Sequence, residues 1–133
     1  MPFVTLTLLD STPADRRRAL LDTVHEALVH VGVPPADRFQ RVLALPAASL
    51  IFDPTYPEPA DAPDSGASRR NEHFAIVEVL WSAGRSIKVK KQLLHHLVEG
   101  LRRIDHDPEQ LMLVFKETTS ENWSFGGGRL LHA

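Results

Sequence analysis

The stretch FAIVEVLWSAGRSIKVKKQLLHHLVEGLRRI (residues 74–104) decides the architecture. Residues 74–82 are almost continuously apolar, which predicts a strand buried on both faces. After Ala83-Gly84 the period changes. Leu93, Leu94, Leu97, Leu101 and Ile104 recur at helical spacing, and Ser86 is placed to cap the new helix. LMLVFKE (111–117) reads as the next strand. A helix of this length between two strands predicts a right-handed crossover joining parallel strands.

The same rhythm occupies the N-terminal half. FVTLTLL (3–9) alternates apolar residues with Thr and predicts a strand. Ser11 or Thr12 suits a helix cap and Pro13 the first helical position. Leu20, Leu21, Val24, Leu28 and Val31 form the apolar stripe, and Gly32 with Pro34-Pro35 stops the helix. RFQRVLAL (38–45) predicts another strand, extended through Leu50–Phe52. Between the halves, residues 53–73 hold four of the ten prolines together with Asp, Ser and Gly, so a long loop is expected.

The expected fold is therefore α/β (α+β). Two β-α-β units form a four-stranded mixed sheet with two helices on one face, plus a short C-terminal hairpin. As one domain over 1–133, the first unit spans about 2–52, the Pro-rich loop 53–73, the second unit 74–117, and the turn and hairpin 118–133. The face without helices would expose strand residues such as Phe39 or Trp81, which predicts self-association.

Composition removes several classes of function. The 133 residues carry a formal net charge of −2 and are 43% hydrophobic and 24% charged, ordinary for a soluble globular protein. Lys and Arg are spread along the chain, so no nucleic-acid footprint is expected. There is no cysteine, hence no disulfide, thiolate nucleophile or thiolate metal site. No apolar run approaches the roughly 18 residues of a membrane span, and no signal-peptide core is present, so a cytoplasmic location is expected. His95 and His96 are adjacent and point to different helix faces. With no metal-ligand spacing and no glycine-rich nucleotide loop, no metal and no cofactor are expected.

A few residues have chemistry the fold does not absorb. Pro2 precedes a strand, where its missing N–H is tolerated. Removal of Met1 would make it a rigidly held secondary amine. An α-amino group titrates at about 7.7–8.0 in model peptides. Unprotonated, it can take a proton α to a carbonyl; protonated, it can act as an acid. Arg85, at the strand-to-helix junction, has the fork geometry for a carboxylate. Asp37 in PPADRFQ could bond an ammonium or orient a water, or serve as a turn residue. His25 lies on the flank of the first helix, as a site residue or a packed one. Arg70 and its neighbour Arg69 precede the third strand, as a substrate-binding cation or as solvent-facing loop residues. Trp123 and Phe125, before Gly126-Gly127-Gly128, could wall a pocket or meet another subunit.

Taken together, Pro2 before a strand, the two β-α-β halves, SAGRS opening the second helix and KETTSENWSFGGG (116–128) resemble the tautomerase superfamily. The likeness is to its longer, fused-repeat members, such as malonate semialdehyde decarboxylase and the chloroacrylate dehalogenases. It implies a cofactor-independent enzyme whose Pro2 amine, freed of Met1, acts as acid or base on a small keto, enol or unsaturated carboxylate. It implies that Arg85 binds that carboxylate, with Asp37 and His25 as further catalytic residues, and that the chain is a homotrimer. The decarboxylase and dehalogenases carry a second arginine where this chain has Ser82 and Ala83, which leaves hydration or decarboxylation of a three-carbon acid as the alternative. A non-catalytic trimeric binding protein and a ferredoxin-like regulatory module also fit the β-α-β-β-α-β order.

Overall fold

The structure, a computed structural model, describes residues 1–57 and 69–131. Its strands are β1 (Phe3–Leu9), β2 (Phe39–Leu45), β3 (Ala75–Ser82) and β4 (Leu111–Thr118); its helices are α1 (Ala14–His30) and α2 (Ile87–Arg103). The sheet order is β2-β1-β3-β4. Each half forms the expected parallel pair, β1 with β2 and β3 with β4. The halves join antiparallel through β1 and β3, with Phe3 opposite Leu80 and Leu8 opposite Ala75.

Side-chain alternation decides what lies under the helices. Val4, Leu6 and Leu8 of β1 and Ala75, Val77, Val79 and Trp81 of β3 point to one face and are fully buried. They pack against Leu20, Val24 and Leu28 of α1 and Leu93, Leu97 and Leu101 of α2, which gives one continuous core. The helices approach closely where Gly100 meets Thr23. A β-carbon at Gly100 would lie 2.7 Å from the Thr23 γ-methyl, so only glycine fits there without a shift. Ser86 caps α2, its hydroxyl accepting from the Val89 N–H at 3.2 Å. At α1 the cap position is Pro13 itself, without a side-chain bond, and the helix begins one residue later than expected.

The opposite face has no helix, and Phe39 and Met112 there are each 46% exposed. Trp81 does not share that face: it is 0% exposed. It has the parity of Val77 and Val79, which the apolar run of β3 concealed because Ile76 and Leu80 are apolar too. Leu50–Phe52 does not extend β2. Pro46 offers no N–H to a ladder, and a single 3-10 turn (Ala47–Ser49) follows it. The expected C-terminal hairpin is a loop among the described residues. A 3-10 turn (Ser120–Asn122) leads into it, and the Leu131 N–H closes it on the Trp123 carbonyl at 3.0 Å.

The strand directions also place the long loop. It leaves the end of β2, where Leu45 pairs with Leu9, and returns at the start of β3, where Ala75 pairs with Leu8. Both stems therefore sit where β1 finishes, about 20 Å along the strand from Pro2. Any role of loop residues 58–68 lies outside the described residues.

Candidate active site

Pro2 is buried directly before β1. The next residue, Phe3, lies between Phe39 of β2 and Leu80 of β3, so both neighbouring strands hold the start of the chain. Asp37 reaches the same point from the turn before β2. Its Oδ2 is 3.1 Å from the α-amino nitrogen of Met1, an ion pair at the mouth of the strand. His25 stands behind this pair rather than in it. It is buried on α1, with Nε2 2.9 Å from the Pro35 carbonyl oxygen. That contact ties the helix to the turn that carries Asp37.

Arg85 enters from the other side. Gly84, at φ +98°, turns the chain out of β3, a conformation that favours glycine. Arg85 Nη1 then donates to the Ser82 carbonyl at 2.9 Å. Its guanidinium carbon lies 4.2 Å from the centre of the Trp81 ring, a cation–π contact. Trp81 in turn stacks on Phe115, with centroids 4.9 Å apart. Burial lowers the Arg85 pKa from its ordinary value, while Glu117 and Asp37 act in the opposite direction. Both carboxylates are thus close enough to influence its charge.

An aromatic wall borders this region. Phe125 packs on Phe39 with centroids 5.4 Å apart, and Trp123 stacks on Phe125 at 5.9 Å. The indole N–H of Trp123 is buried without a hydrogen-bond acceptor among the described residues. The positive φ of Gly126, Gly127 and Gly128 shapes the turn beyond. Pro2, Asp37, Arg85, Trp123 and Phe125 therefore gather at one end of the sheet.

Arg70 is at the other end. Its Nη1 donates to the carbonyls of Asp53 and Tyr56 at 2.8 and 2.6 Å, and its guanidinium covers the Phe74 ring. Arg69 sits beside it, its carbonyl accepting from Gln110. Within one chain the structure does not bring Arg70 to Pro2. A cavity of about 490 Å³ lies at this far end, bordered by Arg16, Asn71, His106 and Gln110. Much of its polar lining is bonded internally. The Gln110 side chain accepts from the Asn71 N–H and donates to the Arg69 carbonyl, while His106 Nε2 is 3.0 Å from the Gln110 carbonyl oxygen. Among the described residues no cluster of three or more His, Asp or Glu side chains could hold a metal ion, and no helix is long and apolar enough to cross a membrane.

Sequence reasoning missed three neighbours of Arg85: Trp81 beneath it, and Glu117 with Lys90 nearby. Trp81 follows only once the structure shows that Val77 and Val79 are the residues of β3 that face the helices. Glu117 follows only once the register sets it opposite Trp81.

Comparison with known proteins bears on the family and the fold. A family model described as "Tautomerase enzyme" matches residues 37–126, a span that includes Asp37, Arg85, Trp123 and Phe125. The probable tautomerase YusQ of Bacillus subtilis (strain 168) is 22% identical over 131 residues, covering 97% of this chain and 96% of that protein. The crystal structure of FG41 malonate semialdehyde decarboxylase inhibited by 3-bromopropiolate is 27% identical. It superposes with a TM-score of 0.82 over 96% of this chain and 91% of that one. A fused 4-OT asymmetric trimer shares the fold at 18% identity, with a TM-score of 0.69 over 97% and 95% of the two chains. With the family model matching well over half its length, the chain belongs to the tautomerase enzyme family.

Proposed function

We propose that the chain is a cofactor-independent tautomerase. Removal of Met1 frees the Pro2 amine, which moves a proton at the carbon next to the carbonyl of a small keto or enol carboxylate. Arg85 holds the substrate carboxylate, and the Arg85 charge favours the enolate that develops. Asp37 orients the amine or a water beside it, and Trp123 and Phe125 border the substrate. His25 fixes the turn that carries Asp37. One observation supports this reading above the others: Asp37 reaches the start of the chain, its carboxylate 3.1 Å from the Met1 nitrogen that directly precedes Pro2. Arg85 stands at the same end of the sheet, within electrostatic reach of Asp37.

The open sheet face, with Phe39 and Met112 exposed, supports self-association. Relatives described as trimers make a homotrimer the proposed assembly. Decarboxylation or hydration of a three-carbon acid is the second reading, favoured by the likeness to malonate semialdehyde decarboxylase and by the place of Asp37. The single arginine at the start of α2 favours the tautomerase. At the position of the second arginine of the decarboxylase, Ser82 and Ala83 offer no cation.

Ketonisation of 2-hydroxymuconate or phenylpyruvate tests the proposal, alongside the intact mass of the purified chain. Active material should have lost Met1, and Pro2→Ala should lower kcat by about 10²–10⁴, the scale of general acid–base catalysis. Active protein that retains Met1, or an unimpaired Pro2→Ala variant, would overturn it.

A further inference from the structure

Arg85 has carboxylates near it, yet none forms an ion pair with it among the described residues. Register sets Glu117 opposite Trp81, the residue whose ring lies under the Arg85 guanidinium. Glu117 is thus placed as a partner for Arg85. Its carboxylate instead lies 2.7 Å from Lys90 Nζ, in the first turn of α2. Lys90 is seated in turn, with Nζ 5.7 Å from the centre of the Phe115 ring that stacks on Trp81. The other nearby carboxylate, Asp37, faces the start of the chain, 3.1 Å from the Met1 nitrogen, and would meet the Pro2 amine once Met1 is removed. Arg85 therefore commits one N–H to the Ser82 carbonyl and one face to Trp81. Its remaining donors are not engaged by any carboxylate of the described chain.

We propose that Lys90 is a positioning residue that holds Glu117 away from Arg85, so that the guanidinium edge stays open for the substrate carboxylate. A guanidinium already forked onto an internal carboxylate binds an external one poorly, because the same planar donors serve both. Deleting Lys90 leaves Glu117 without its cation, and Arg85 remains a positive charge within its electrostatic reach. The variant chain would inhibit its own anion site. This inference rests on the reading of Arg85 as the carboxylate-binding group, and it extends that reading to a residue that never touches substrate.

The test is a set of variants titrated with 3-phenylpropanoate, a carboxylate with no keto group to react. Lys90→Met should weaken binding about fivefold, the scale of one partly exposed ion pair, without changing helix content. Lys90→Arg should bind as the parent chain does. Glu117→Gln should bind at least as tightly, and Lys90→Met with Glu117→Gln should recover parental affinity. In the ketonisation assay, Lys90→Met should raise KM and leave kcat, the signature of lost ground-state binding. The inference is overturned if Lys90→Met binds normally, or if the double variant is as weak as the single one. It is overturned equally if the parent chain does not bind the probe. Failure of the proposed reaction is separate: full ketonisation by Pro2→Ala removes the amine mechanism but leaves this pattern of binding intact.

Discussion

Arg85 and Arg70 flank the same strand, β3, one after its end and the other before its start, and their surroundings differ in kind. Arg70 gives Nη1 to two backbone carbonyls of its own loop. Beside it, Gln110 and His106 are bonded into the backbone around them. Arg85 is gripped from below by Trp81 and from one side by the Ser82 carbonyl. At its end of the sheet the indole N–H groups of Trp81 and Trp123 are buried without acceptors among the described residues, and Phe125 is half exposed. Buried polar groups left without partners cost stability, so they mark places where something other than folding shapes the residues. One end of the sheet closes the fold, and the other is where the proposed function places the substrate.

The largest expected effect separates the two ends most directly. Arg85→Ala should lower kcat/KM for ketonisation by about 10²–10³, the range for loss of one preorganised charge-stabilising group. Thermal stability should change little, because the part-exposed side chain makes one hydrogen bond and one cation–π contact. A variant that keeps its activity but melts early would break the comparison, since Arg85 would then be a structural residue like those of the far end.

The far end should respond to pH instead of to substrate. Burial holds His106 below its usual 6.5, with the Gln110 carbonyl acting the other way and the Arg16 and His73 charges adding to the depression. In the unfolded chain the ring regains its ordinary pKa, so the unfolded state binds the proton first. Stability is therefore complete above about 6.5 and falls as pH drops toward the lowered folded value. Denaturant midpoints measured at pH 7.5 and 5.5 should show this decline, shallower in His106→Gln. An equal slope in the variant would assign the loss to other groups and remove the pH contrast between the ends.

Much of the fold was legible because the two periods, near 2 and 3.6, are written cleanly into the halves. Leu20, Val24 and Leu28 or Leu93, Leu97 and Leu101 leave one helical face to bury, and both β-α-β units follow. The parity of β3 was not legible. Ile76 and Leu80 are as apolar as Val77 and Val79, so pattern alone could not say which face Trp81 joins. The candidate site divides the same way. Pro2, Asp37 and Arg85 stand out through local chemistry, each beside a strand or helix end. Arg70 was harder, because its distance from Pro2 depends on β1 and β3 running antiparallel, a pairing between residues some seventy positions apart. No local pattern encodes that direction. Lys90 was invisible for a related reason, since its role depends on a register that sets Glu117 opposite Trp81.

Arg70 supplies the smallest expected effect and the sharpest check on how many chains build one site. Within a single chain its guanidinium is held by Asp53, Tyr56 and Phe74 at the end of the sheet remote from Pro2. Arg70→Ala should then leave kcat/KM within about twofold. It should cost about 1–2 kcal/mol, since the part-exposed side chain makes two hydrogen bonds and each contributes about 1 kcal/mol or less when solvent competes. A tenfold rise in KM with kcat unchanged would mean that the far end of one chain reaches the open end of another. The two ends would then be halves of one site, and the contrast between Arg70 and Arg85 would hold for the isolated chain only. Mixing Arg70→Ala chains with Arg85→Ala chains distinguishes these outcomes. Activity of the mixture above the sum of the two variants measured separately requires a site shared between subunits, and activity equal to that sum keeps each site within its own chain.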